Sequence, residues 1–352
     1  MTIPSSYASE ICPVQIRGFT TSGVQLFISI GQLTANLVLK GTGTLSSNLA
    51  YRIPFALQFI FPTILLIGLP FSPESPWFLL HKARPEAALA TLTKLGYTDP
   101  IPVLAEMAHT VEIERKNYSS TTYLDCFKGI NLRRTEIAMG IFTVAQLTGV
   151  VFTIGYSTYF FELAGLSPSS SFSLSVGVSV LGLIGVMGSW FLINRTGRRS
   201  TSLFGTMTLA LLLLLIGILD IIPTSSRGPV YIQVACIIIF AFVYLLTIGP
   251  MGWALFAEIS SAELRSRTVG LGIVVQSVFG VLLNIVVPLL INPDAANLGG
   301  KIGFIFAGTA SLGCLWVWWR VPETRGRRLM ELDWLFENKV PASKFQGYEV
   351  PL

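Results

Sequence analysis

Eight apolar runs dominate this chain, at about 18–39, 51–71, 136–160, 172–193, 201–222, 230–252, 268–291 and 301–321. Each is long enough to cross a hydrocarbon layer of roughly 30 Å, which takes about 20 residues of helix. In lipid every backbone N–H and C=O must find its partner within the protein, so a segment of this kind crosses as a helix. Composition agrees: 52% of residues are hydrophobic, 12% are charged and the mean hydropathy is +0.65. Soluble proteins carry roughly 25% charge and alternate apolar with polar faces. The expected class is an all-α membrane protein with eight transmembrane helices.

Several function classes fall away at this stage. The cysteines at 12, 126, 236 and 314 are scattered, and His81 and His109 lie near none of them. That pattern offers neither a metal site nor a disulfide framework, and no cofactor is expected. No Ser-His pair or paired intramembrane carboxylates point to an enzyme. No cationic segment followed by a short apolar run and cleavage site marks a signal peptide.

The net charge of +5 reads as membrane topology and not as a nucleic-acid surface. With eight spans, one side of the membrane receives Lys40, Arg52, Arg227 and Lys301, and the other receives the remaining 20 of 24 Lys and Arg. Positive residues favour the cytosol. Both termini and the one long connection, 72–135, are therefore expected there. That connection should hold short amphipathic helices, one starting at Pro85 and another over about 103–116. The acceptor triplets at Asn117 and Asn194 would face the cytosol and stay unglycosylated.

A pattern recurs along the chain. Glu10 precedes Arg17 by seven positions, and Glu258 precedes Arg265 by the same offset. Downstream, Pro73-Glu74-Ser75 follows Glu10 by 64 positions and Pro322-Glu323-Thr324 follows Glu258 by 65. Two halves thus share one plan with a period near 248 residues. Repeated half-bundles around a midplane site are the architecture of secondary transporters. Glu and Arg at matched helix ends suit latches that bond when the cytosolic side is closed and rehydrate when it opens. Single exposed pairs contribute roughly 0–1 kcal/mol, so several acting together are needed to bias two states. The expected latch residues are Glu10, Arg17, Glu74, Arg195, Arg198, Arg199, Glu258, Arg265, Glu323 and Arg325. If the halves match, roughly 110 residues are missing before Glu10.

The motifs that carry a family resemblance are Tyr7-Ala8-Ser9-Glu10 with Pro13 and Arg17-Gly18, Pro73-Glu74-Ser75-Pro76-Trp77, Asn194-Arg195-Thr196-Gly197-Arg198-Arg199, Glu258 with Arg265, and Pro322-Glu323-Thr324-Arg325-Gly326-Arg327. In this order and spacing the chain resembles the sugar porter family of the major facilitator superfamily. The stretches 156–162, 189–193 and 331–337 resemble the fungal maltose/α-glucoside permease branch. The resemblance implies a bundle of twelve helices in two halves, with the eight spans here equivalent to helices five to twelve. The expected divisions are 1–71 as a remnant of the N-terminal half, 72–135 as the cytosolic linker, 136–321 as the C-terminal six-helix half, and 322–352 as a cytosolic tail.

The resemblance also implies a carbohydrate site. Gln25, Gln146 and Trp253 match sugar-contacting positions, and Tyr156 matches an extracellular gating tyrosine. Gln276 and Asn284, two turns apart on one span, are further candidates. Intramembrane amides serve helix packing as well as ligands. The chain departs from the family at Ala145, Val151, Gly182 and Asn194, where relatives often carry amides or an acid. These losses suit a larger glycoside, another polyol or loss of function. The implied function is alternating-access transport of a hexose or an α-glucoside such as maltose, in the plasma membrane, with this chain a truncated or inactive form that would not support sugar uptake by itself. Proton coupling is left open, because the acid that carries the proton in coupled relatives lies on the first helix. The alternative is a non-transporting sugar sensor or regulatory paralogue. The short stretch after the last span weighs against a sensor.

Overall fold

The computed structural model describes residues 7, 11, 14–97, 99–118, 122–222, 228–260, 264–327 and 329–348. Glu10, Cys12, residues 223–225 and Arg227 lie outside the described residues, as do the side chains of Arg17, Asn194 and Arg265. Among the described residues all regular structure is helical. Six of the eight expected spans form helices long and apolar enough to cross a membrane: Leu49–Phe71, Pro168–Leu192, Arg198–Ile221, Gly228–Leu255, Ser266–Ile291 and Gly299–Arg320. The other two are also helical. Helix α1 (Val14–Thr42) carries Gln25, Ser29, Gln32 and Asn36 within its apolar run. The run at 136–160 divides into α7, a π-helical turn and α8, and α7 begins with three charged residues in its first two turns.

The chain forms two compact units, one holding the residues up to Val24 with Ser47–Tyr123, the other Gln25–Ser46 with Leu124 onward. In the first unit, α2 (Leu49–Leu57) and α3 (Ile60–Gly68) make up a single span. The break between them follows from Pro62, which has no N–H for the carbonyl of Gln58, four residues back. Phe55, Phe59, Ile64 and Leu66 are exposed, as suits side chains that meet lipid. Three short helices follow: α4 (Pro76–His81), α5 (Pro85–Lys94) and α6 (Pro100–Tyr118). Ser75 caps α4 by accepting from Phe78 N–H at 3.3 Å, with Pro76 in the first turn. Their apolar faces meet around Leu79, Leu80, Ala88 and Val111. The helix start expected at Pro85 is α5, and α4 is an addition to the two expected helices.

The second unit contains α7 (Gly129–Leu147), α8 (Ser157–Leu163), α9 (Pro168–Thr196), α10 (Arg198–Ile221), α11 (Gly228–Leu246), α12 (Ile248–Ile259), α13 (Arg265–Ile291), α14 (Ile302–Arg320) and α15 (Leu329–Glu337). Ser167 caps α9 by accepting from Ser170 N–H at 3.3 Å. Helix α9 packs on α11, α10 packs on α11 and α14, and α7 packs on α12, α13 and α14. Small residues set the α9–α11 distance: a Cβ on Gly185 would lie 2.6 Å from the Phe242 carbonyl oxygen. Helix α9 also carries Ser179, whose hydroxyl meets the Asn36 side-chain amide at 2.6 Å. Pro250 leaves the carbonyl of Leu246 without its helical donor, and the chain steps from α11 to α12 there. One core cluster gathers Phe152, Phe161, Phe240 and Phe306. A second gathers Ile137, Phe142, Met251 and Val317 with Leu335, Phe336 and Phe345 of the C-terminal segment.

Candidate functional site

The sugar candidates of the second unit are organised by the break in α7. At Gly149 the backbone turns to φ +79, a conformation that favours glycine, and a Cβ there would lie 2.9 Å from the Phe306 ring. Neighbouring hydroxyls take up carbonyls freed near the break. Thr148 donates to Ala145 O at 2.7 Å, and Thr309 of α14 donates to Leu147 O at 2.7 Å. The π-helical turn Val151–Gly155 follows. Irregular backbone of this kind is tolerated at membrane depth only where protein surrounds it, and π-turns mark functional positions often.

Gln146 stands just before this break. It is half-buried, and its amide oxygen is buried with no hydrogen-bond partner. Phe142 lies one helical turn earlier on the same face, and Trp253 of α12 packs edge-on against it with ring centroids 5.4 Å apart. The structure thus brings an amide and a tryptophan to one stretch of α7. Gln276 is half-buried on α13, a helix packed against α7. Gln25 is half-buried on α1, and no described hydrogen bond joins it to the other candidates.

Tyr156 and Asn284 meet directly. The Tyr156 hydroxyl donates to the backbone carbonyl of Asn284 at 3.2 Å. That carbonyl would bond the N–H of residue 288 in a regular helix, and residue 288 is proline. Tyr156 therefore supplies the donor that Pro288 lacks. The Asn284 side chain is exposed and donates back to Gly280 O at 2.8 Å. One residue turn away from Tyr156, Tyr159 donates to the Asn292 side chain at 3.2 Å. Tyr156→Phe is expected to lower stability by about 0.5–1.5 kcal/mol, and the loss should shrink in a Pro288→Ala background, where the backbone N–H returns. Thermal unfolding of the four proteins of this double-mutant cycle checks it, and equal losses in both backgrounds would refute the pairing.

The charged candidates gather at the opposite helix ends. Arg198 Nε and Nη2 donate to both oxygens of Glu258 at 2.6–3.2 Å. The Thr324 hydroxyl donates to Glu258 Oε2. Glu323, only 5% exposed, sits at the start of α10. Its Oε1 accepts the N–H of Arg198 at 2.7 Å and that of Arg325 at 3.2 Å, and its Oε2 accepts the N–H of Arg199 at 3.1 Å. The first turn of a helix has unpaired N–H groups and a positive end, which a carboxylate satisfies. Gly197 makes the approach feasible, since its φ is +89 and a Cβ would lie 2.5 Å from Glu323 Oε2. The Arg325 guanidinium donates to Arg195 O, Arg199 Nη2 donates to Trp318 O at 2.6 Å, and Arg195 lies over the Phe191 ring. These six bond among helix ends of the second unit. Glu74, in the first unit, is exposed.

Sequence reasoning missed four features at this end. Thr324 joins the Glu258 pair. Buried Arg134 meets Asp333 at 2.6 Å, and Arg320 meets Glu136 at 2.7 Å. Arg327 also clasps the carbonyls of Phe345 and Tyr348 at 2.8 and 2.6 Å. The clustering of Arg133, Arg134 and Glu136 before one span and Arg320 after another was the available signal.

The family model described as sugar (and other) transporter matches residues 1–336. The chain belongs to this sugar transporter family. A general alpha-glucoside permease of Saccharomyces cerevisiae is 35% identical over 350 residues, covering 97% of this chain and 56% of the relative. A maltose permease of the same organism is 36% identical over 355 residues, covering 98% and 57%. The chain therefore spans little more than half the length of these relatives. Among solved structures, the proton:xylose symporter XylE bound to 6-bromo-6-deoxy-D-glucose superposes with a TM-score of 0.75 at 22% identity, over 95% of this chain and 70% of that one. An inward-open form of XylE from E. coli gives 0.75 at 21%, over 94% and 68%. The fold is a partial major facilitator superfamily bundle, and with its spans this sugar transporter family member is a multi-pass membrane protein.

Proposed function

We propose that this family member serves transmembrane transport of a carbohydrate, an α-glucoside such as maltose or else a hexose. The observation that carries the reading is the buried, unpartnered amide oxygen of Gln146 beside the broken helix. A buried polar atom without a partner costs about 1–3 kcal/mol, and a sugar hydroxyl would supply the missing donor. Trp253 offers an apolar face to a pyranose ring. Gln25, Gln276 and Asn284 offer further amides, and Tyr156 closes the site from outside. The permease names of the relatives support the α-glucoside class.

In this reading the protein binds its sugar between half-bundles and rocks, with no covalent chemistry, so it is not an enzyme. Glu10, Arg17, Glu74 and Arg265, like the clustered charges of the second unit, serve as latch residues of the cytosolic side. The excess of Lys and Arg at that side supports cytosolic termini, and a plasma-membrane location follows from an extracellular sugar supply. Protons are the coupling ion to test, given the symporter among the structural neighbours.

The test is sugar binding to the purified protein in nanodiscs by calorimetry. Gln146→Leu should weaken maltose binding at least about tenfold, or roughly 1.4 kcal/mol. Its unfolding midpoint should hold or rise, because the unpartnered oxygen is gone. Unchanged affinity, or binding lost together with the fold, would refute a site role for Gln146.

A further inference from the structure

A groove of about 500 Å³ opens in the second unit between the start of α7, the end of α14 and the C-terminal segment. None of the sugar candidates lines it. Its walls include Arg133, Arg199, Arg320, Lys339, Trp318 and Trp319. Of the four cations, Arg320 is neutralised by Glu136. The described ion pairs leave Arg133, Arg199 and Lys339 without a carboxylate. Arg133 donates to the Val340 carbonyl at 2.8 Å and lies against the Phe336 and Phe345 rings. Arg199 donates to the Trp318 carbonyl, while its Nε is buried with no partner at all. Burial, with Arg320 close by, pushes the Arg133 guanidinium below its ordinary pKa, against an opposing pull from Glu136. Among the described residues, the groove holds more positive charge than carboxylates balance.

Its other wall is aromatic and open. Trp318 and Trp319 are 60% and 73% exposed at the end of a membrane-spanning helix. Exposed indoles at span ends sit at the depth of lipid headgroups, and basic pockets between transmembrane helices on the cytosolic side take phosphate-bearing headgroups.

We propose that this groove binds the headgroup of an anionic phospholipid, with its phosphate among Arg133, Arg199 and Lys339 and its glycerol and upper chains along Trp318 and Trp319. The shared chemistry is a phosphate oxyanion, which a soluble phosphate also offers. A soluble ion, however, would leave the two exposed tryptophans without a role. The proposal rests on the bilayer setting and not on sugar transport, so the two can fail separately.

The experiment compares the full chain purified from phosphatidylcholine nanodiscs with and without phosphatidylinositol, reading retained lipid by native mass spectrometry. Phosphatidylinositol should be retained over phosphatidylcholine. Lys339→Gln, at an exposed position whose side chain has no described bond, should cut that retention about fivefold. Arg133→Gln should cut it too, and Gln146→Leu should leave it unchanged. Equal retention of the two lipids, or full retention by Lys339→Gln, would overturn the proposal. In a second arm, inorganic phosphate is titrated in detergent and thermal unfolding followed. Stabilisation by phosphate that Lys339→Gln abolishes, without lipid selectivity in the first arm, would reassign the groove to a soluble anion and overturn the lipid reading.

Discussion

Glu323→Ala should destabilise the second unit by about 3–5 kcal/mol, seen as a lower midpoint of helix loss on heating in detergent. The carboxylate is buried and accepts three backbone N–H groups, from Arg198, Arg199 and Arg325. Alanine leaves all three without an acceptor and removes the negative charge from the positive end of α10. Each orphaned buried donor costs about 1–3 kcal/mol, with water recovering part. Glu323→Gln keeps one oxygen and the shape, so its loss should be smaller. Gly197→Ala should resemble Glu323→Ala, since its methyl group would occupy the carboxylate's place and φ is +89 there. An unchanged midpoint for Glu323→Ala would show that this carboxylate does not anchor the helix end.

Glu258→Ala is expected to cost about 2–4 kcal/mol. It removes the carboxylate paired with the guanidinium of Arg198, whose side chain is 16% exposed, and the acceptor of the Thr324 hydroxyl. The informative comparison is with Arg198→Leu and with the two changes combined. Breaking a largely buried pair by removing one partner leaves an uncompensated charge, whereas removing both does not. The double variant should therefore lose less than the sum of the singles. Strict additivity would mean that Arg198 and Glu258 are not coupled, and with it the latch role at this end would fall.

Much of the fold is legible from apolar run length, because lipid leaves a spanning segment no alternative to the helix. Pro62 and Pro250 likewise announce the breaks that follow from their missing N–H groups. The break at Gly149 is not legible, since it lies inside an apolar run and depends on Phe306, far away in sequence, packing against it. Site residues divide the same way. Arg198, Glu258 and Glu323, three of the charge-motif residues, lie in one cluster. The motifs do not show that Glu323 takes backbone donors, because a backbone N–H leaves no mark in a sequence. The spacing from Asn284 to Pro288 was visible, but its meaning needed the hydroxyl of Tyr156 opposite. Arg134 with Asp333 is a pairing of distant segments that no local pattern indicates.

The clasp at the start of α10 also orders the making of the protein. Glu323 is synthesised 125 residues after Arg198. A ribosome delivering the chain from its N-terminus inserts α10 first, then the three spans formed by α11 with α12, α13 and α14, before the acceptor exists. Until then the first turn of α10 keeps its donors in water, and the Arg198 N–H lacks the Glu323 carboxylate. Closure at this end is thus a late event in biogenesis, and a chain stalled after α13 would present an open, cationic helix end to the machinery that surveys unfinished membrane proteins.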